Sequence, residues 1–202
     1  CPFNETWKYY VNSEKNSLLT SIYKITKKLD PTRPCIDPSG NHRVLSEFYD
    51  IHDYNQNPET FKKDWDPFTQ LAKESNDCIP ANHPFFTDGR VGGGDGFPPF
   101  FSQPYDGQPI FISEYGGIRW VDKSVEGWGY GNAPQTAEEF FARYKGLTDA
   151  MLNNEDICGF CYTQLYDVEQ EVNGLYTYER NRKFDINIIK EINEQKAAIE
   201  EE

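Results

Sequence analysis

Glu5 closes the run Phe3-Asn4-Glu5, and Glu114 closes the run Ile112-Ser113-Glu114, 109 residues further along the chain. Each glutamate follows residues that read as the end of a strand. Paired carboxyl groups at strand ends suit the hydrolysis of glycosidic bonds. That reaction needs one carboxyl group protonated, to hand a proton to the leaving oxygen, and a second ionised, to attack the anomeric carbon. A gap of about 5–5.5 Å between them predicts retention of configuration, and a gap of about 6.5–9.5 Å admits a water and predicts inversion. The acid needs its pKa raised by burial or by a neighbouring negative charge. Taken alone, either glutamate reads as an ordinary surface carboxylate, so the pairing carries the inference.

The elements that must position these groups alternate along the chain. Leu18, Leu19, Ile22, Ile25 and Leu29 share one face at helical spacing over 17–29, and Asp30-Pro-Thr-Arg-Pro34 stops that helix. A weaker helical pattern runs over 58–75 through Phe61, Trp65, Phe68 and Leu71. Thr136-Ala-Glu-Glu139 reads as a capping box opening a helix with Phe140, Phe141, Tyr144, Leu147 and Met151 as its apolar stripe. A last, charged helix is expected over 185–202. Strands are expected near 2–5, 35–37, 48–52, 109–114 and 157–165, and residues 79–108 form a long loop rich in Gly, Pro and Phe.

Buried strands alternating with amphipathic helices predict an α/β fold with a parallel sheet covered by helices. A (β/α)8 barrel takes about 250 residues, so these 202 residues suit a partial barrel. In a barrel, groups at the C-terminal strand ends share one mouth, which would bring Glu5 and Glu114 together across a pocket.

Composition narrows the partners. With 20 basic and 33 acidic side chains the net charge is −13, the wrong sign for binding phosphate backbones, so nucleic acid is not expected. No apolar run is long enough to span a membrane. Aromatic residues make up 15% of the chain, enough to build a core despite its polarity. Met151 is the single methionine, so the chain is expected to be a processed product, with a mature lipoprotein starting at Cys1 as the lesser reading, or a piece of a longer polypeptide. Cys158-Gly-Phe-Cys161 has a redox-motif spacing, but it falls in a stretch that reads as a strand, where thiols three apart face opposite ways; both are expected in the core. Glu169 and Glu171 read as an acidic, solvated loop. No His/Cys/Asp cluster has metal-ligand spacing, so neither metal nor cofactor is expected.

Five segments resemble, in order, motifs of glycoside hydrolase family 2, the β-galactosidase and β-glucuronidase group. Pro2-Phe-Asn-Glu-Thr-Trp7 resembles its strand-four motif and Pro109-Ile-Phe-Ile-Ser-Glu-Tyr-Gly-Gly117 its strand-seven motif. Asp30-Pro-Thr-Arg-Pro34, Asp50-Ile-His-Asp-Tyr54 and Tyr162-Thr-Gln-Leu-Tyr-Asp-Val-Glu-Gln-Glu-Val-Asn-Gly174 resemble further segments, so the likeness covers essentially the whole chain. The resemblance implies that residues 1–202 are the C-terminal portion of a TIM-barrel catalytic domain, roughly strands four to eight. It implies a retaining β-glycosidase acting on a carbohydrate substrate, with Glu5 as general acid/base and Glu114 as nucleophile. Asn4 would bond the sugar 2-hydroxyl, Tyr54 would hold the nucleophile, and His52 would point into the same mouth. Trp120, Trp128 and Tyr162 would offer stacking surfaces for a pyranose.

There are departures. The first three barrel strands and the preceding β-sandwich domains of the family are missing, and Tyr162 and Gln164 stand where strand eight often carries a tryptophan. None of these five segments carries the Asn-x-Lys feature tied to glucuronate binding, so the resemblance implies a neutral sugar rather than a glucuronide. A five-stranded piece leaves open edges, so the chain is expected to pair with itself or with the missing barrel half. Two other readings remain: a non-catalytic carbohydrate-binding or structural fragment, and an unrelated barrel enzyme with a metal at an acidic mouth.

Overall fold

The computed structural model describes residues 13–37, 39, 44–74, 90–91, 100–101, 103, 105–120 and 126–200. The strand expected at 2–5, with Asn4 and Glu5 on it, lies outside the described residues, as does most of the loop over 79–108. The elements run α1 (Ser13–Leu29), β1 (Tyr49–Asp53), α2 (Pro58–Glu74), β2 (Arg90–Val91), β3 (Phe100–Phe101), β4 (Ile110–Gly116), α3 (Ala137–Leu152), β5 (Ile157–Thr163) and α4 (Ile186–Asn193), with a 3-10 turn at Ala198–Glu200. The strands β1, β4 and β5 form one sheet in the order β1-β4-β5, and β2 pairs antiparallel with β3. This is an α/β fold with a small parallel sheet and helices. The chain falls into two compact units, Cys1–His52 with Gln70–Ser113, and Asp53–Thr69 with Glu114–Glu202.

In the first unit, α1 ends at an Asx-type turn. The Thr32 amide and hydroxyl donate to Asp30 Oδ1 at 3.0 and 2.6 Å, and the Arg33 side chain pairs with Asp30 Oδ2 at 2.5 Å. The expected strand at 35–37 is not one. Glu47 replaces a ladder there: its carboxylate accepts from the Cys35 amide at 2.8 Å and from Lys27, and its amide donates to the Cys35 carbonyl at 3.1 Å. Asp37 then turns the chain by accepting from the Val44 and Leu45 amides. The α1 stripe is also only partly used. Leu19 is buried, whereas Leu18, Ile22, Ile25 and Leu29 are 45%, 42%, 58% and 81% exposed. Ile51, Ile110 and Ile112 form the core of this unit, and the buried Asp50 carboxylate accepts from Ser113 Oγ at 3.1 Å.

In the second unit, Asn57 caps α2 by accepting from the Glu59 and Thr60 amides, with Pro58 at the first helical position. Phe61 and Trp65 are fully buried on α2; the side chains of Phe68 and Leu71 lie outside those described. Thr136 caps α3 through the Glu139 amide at 3.2 Å, while the Glu139 carboxylate reaches one residue further back than a capping box requires, to the Gln135 amide at 2.6 Å. Phe140, Tyr144, Leu147 and Met151 are buried as their spacing predicts, and Phe184 stacks on Phe140 at 4.1 Å. The last helix is shorter than its charge pattern predicts. It stops at Asn193, where the Gln195 side chain donates to the Ile192 carbonyl at 2.8 Å, and it buries Ile189 and Ile192 but leaves Ile188 exposed; Ile199, in the 3-10 turn beyond it, is exposed as well.

The expectation of buried cysteines is overturned. Cys158 and Cys161 are free and exposed. They sit on β5, which ends the sheet order β1-β4-β5 and is less covered than the central β4.

Candidate active site

Strand alternation sets the site. On β4, Tyr115 is fully buried toward the helices: its hydroxyl lies 2.8 Å from Thr148 Oγ1, and its ring meets Tyr144, Phe160 and Tyr162. Its neighbour Glu114 therefore projects from the other face. There the Tyr54 hydroxyl, just beyond β1, donates to Glu114 Oε2. Burial pushes the Tyr54 phenol well above its ordinary range, and its hydrogen bond to Glu114 adds to the rise. Tyr54 is thus a neutral donor fixed on the carboxylate.

A loop lies over this pair. The Tyr130 ring stacks on Tyr54 with centroids 3.6 Å apart and planes 8° apart, and Trp128 meets Tyr130 edge-on at 5.8 Å. Gly116 and Gly117 follow Glu114 with φ of 80° and 61°, in the left-handed region. A Cβ at Gly116 would strike the Tyr162 ring, and one at Gly117 the Tyr130 ring. The Gln56 side chain donates to the Gly116 carbonyl and, at 3.1 Å, to the Tyr54 carbonyl.

A second loop, after β5, forms a polar frame. The Thr163–Gln164 peptide is cis. Gln164 donates to Asn173 Oδ1 at 2.9 Å, and Asn173 donates to Glu171 at 3.0 Å. The Asp167 carboxylate accepts from Lys183 at 2.6 Å and from the Gly174 amide at 2.9 Å. Lys183 also donates to the Trp120 carbonyl at 2.7 Å. Burial lowers the Lys183 pKa, and Asp167 opposes that shift.

The residues singled out in the sequence are placed as follows. Tyr54 and Glu114 are brought together. Trp128 is 48% exposed. Tyr162 spends its hydroxyl on backbone, accepting from the Ile118 amide and donating to the Asn173 carbonyl, each at 3.2 Å. Trp120 packs against Phe140 and Phe184. In the other unit, His52 Nε2 lies 3.0 Å from Ser39 Oγ, and burial pushes its imidazole down to about 4. Sequence reasoning missed Tyr130, Gln56 and Lys183. The glycines bracketing Tyr130 in Gly127-Trp-Gly-Tyr-Gly131 were the signal for a ring held close to backbone. Among the described residues no group of three or more His, Cys, Asp or Glu is placed to hold a metal ion, and no helix is long and apolar enough to cross a membrane.

No family model matches the sequence. No curated protein matches it either. Solved structures do. A GH2 β-galacturonidase from Eisenbergiella tayi bound to galacturonate is 14% identical with a TM-score of 0.54, over 92% of this chain and 32% of its own. A β-glucuronidase from an uncultured Clostridium species is 14% identical with a TM-score of 0.52, over 91% and 30%. A β-glucuronidase from Faecalibacterium prausnitzii is 16% identical with a TM-score of 0.50, over 88% and 28%. The chain spans about a third of the length of the structures it matches, and at these identities what it shares with that part of the family 2 glycosidases is the fold.

Proposed function

We propose that residues 1–202 are the C-terminal portion, roughly strands four to eight, of the (β/α)8 catalytic barrel of a retaining β-glycosidase. Glu114 is the nucleophile and Glu5 the general acid/base. The observation that carries this reading is the Tyr54 hydroxyl on the Glu114 carboxylate of β4. A carboxylate that accepts from a fixed phenol is held in one orientation, as a group attacking an anomeric carbon must be. Tyr54 donates to the ionised form, and its raised pKa keeps it protonated while the carboxylate acts. Glu114 attacks C1 as Glu5 protonates the departing oxygen, and Glu5 then takes a proton from the water that releases the sugar. The fold shared with family 2 glycosidases supports the assignment, and Asn4, His52 and Trp128 are proposed as sugar contacts. The galacturonate ligand and the glucuronidase activity named for those structures are their own.

The test is hydrolysis of nitrophenyl β-galactoside, β-glucoside and β-mannoside by the complete polypeptide carrying these residues. Glu114→Gln should abolish release. Glu5→Gln should slow poorly activated substrates far more than activated ones, because only the former need a proton. Sugar binding without release in the parent would favour the non-catalytic reading, and loss of activity on chelation would favour a metal-dependent barrel enzyme.

A further inference from the structure

We infer that Tyr130 is a positioning residue for Glu114, acting through Tyr54; this rests on the reading of Glu114 as the nucleophile. A tyrosine hydroxyl aims a carboxylate only as well as its own ring is held, and a phenol on a strand end is free to swing about χ1 and χ2 unless something lies against its face. Tyr130 lies there, parallel to Tyr54 within 8° at 3.6 Å.

Tyr130 is itself fixed from several sides. Its amide donates to the Gly117 carbonyl at 2.8 Å, within the bridge pairing Ile118 with Tyr130. Gly117 has no Cβ to displace the ring, and Trp128 closes its edge at 5.8 Å. Gly131, with φ of 65°, turns the chain directly over Gln56, where a Cβ would meet the Gln56 side chain. Gln56 in turn holds the Tyr54 and Gly116 carbonyls, and Arg143 joins the Gln56 oxygen at 3.4 Å to the Asn132 carbonyl at 2.8 Å. The loop over 128–132 is thus fastened to Gly117 and, through Arg143, to Gln56. Neither Tyr54 nor Tyr130 is fully buried, so the stack does more than fill a core.

The test compares Tyr130→Leu with Tyr130→Phe, alone and with Tyr54→Phe, in the complete polypeptide. Tyr130→Leu should lower kcat on the order of tenfold to a hundredfold with KM within about twofold, since misaim costs turnover rather than binding. Tyr130→Phe, which keeps the stack, should restore most of the rate. In the Tyr54→Phe background Tyr130→Leu should add less than about twofold, because its effect runs through Tyr54. A parental rate in Tyr130→Leu, an equal loss in Tyr130→Phe, or the full loss persisting in the Tyr54→Phe background would each overturn the inference. A crystal structure of Tyr130→Leu gives a readout independent of turnover: the Tyr54 hydroxyl should leave Glu114, and finding it in place overturns the inference. If the parent hydrolyses no glycoside, the proposed function fails and the crystal structure alone decides the role of Tyr130.

Discussion

The indole Nε1 of Trp65 donates to Asp53 Oδ2 at 2.9 Å, with Trp65 wholly buried and Asp53 only 3% exposed. Burial pushes the Asp53 carboxyl up, and the bonds from the Asn55 amide and from Trp65 pull it back. Trp65→Phe keeps most of the ring and removes the donor. It should cost about 1–3 kcal/mol at neutral pH, measured by urea unfolding. The sign follows from protons bound. A carboxyl with a folded pKa above its unfolded value binds more protons when folded, so stability falls as pH rises through that window. The deficit in Trp65→Phe should therefore shrink as pH falls toward the ordinary carboxyl range, and a deficit that grows in acid would refute the account.

Asp167 and Lys183 form an ion pair whose side chains are 8% and 6% exposed. Removing one partner strands a buried charge, so Lys183→Met should destabilise the chain by about 3–5 kcal/mol. The double variant Asp167→Leu, Lys183→Met should lose less than the single one, because no charge is left behind. A single-variant loss below about 1 kcal/mol would show that water reaches the pair.

Gly107, Gly116 and Gly117 all have positive φ, but only the last two have a ring where a Cβ would stand. Gly107→Ala should cost only the left-handed backbone term, about 1–2 kcal/mol. Gly116→Ala and Gly117→Ala should cost more, by the displacement of Tyr162 or Tyr130. Equal thermal shifts in all three would mean that the rings yield freely.

His52 adds a pH term. Its folded pKa is pushed down to about 4 from 6.5. Between those values the unfolded chain holds a proton that the folded chain does not, so stability is complete above the higher value and drains away as pH falls toward the lower. Relative to His52→Gln, the parent should lose up to about 3 kcal/mol more on going from neutral pH into this window, less whatever solvent screens. Parallel profiles for the two proteins would remove His52 from the acid response.

The strands at 110–116 and 157–163 and the helices of 58–74 and 137–152 were legible because apolar spacing and capping residues agree on them. The segment 35–37 was not, because its partner is the side chain of Glu47, and periodicity does not register a side chain standing in for a ladder. The stripe of α1 was legible as a stripe, but spacing shows which face is apolar and says nothing of what lies against it. At the site, Glu114 and Tyr54 were found through motifs at strand ends. Tyr130, Gln56 and Lys183 belong to loops, where the contact made depends on where the backbone returns and not on the residues beside it.

One ammonium group, that of Lys183, reaches the Trp120 carbonyl, the Asp167 carboxylate and the Val172 carbonyl. Those acceptors belong to three stretches of chain, two of them already joined by the Trp120 amide donating to the Val172 carbonyl at 3.0 Å. Sharing a single cation ties them together, so amide hydrogens around positions 120, 167 and 172 should be released to deuterium in one collective opening.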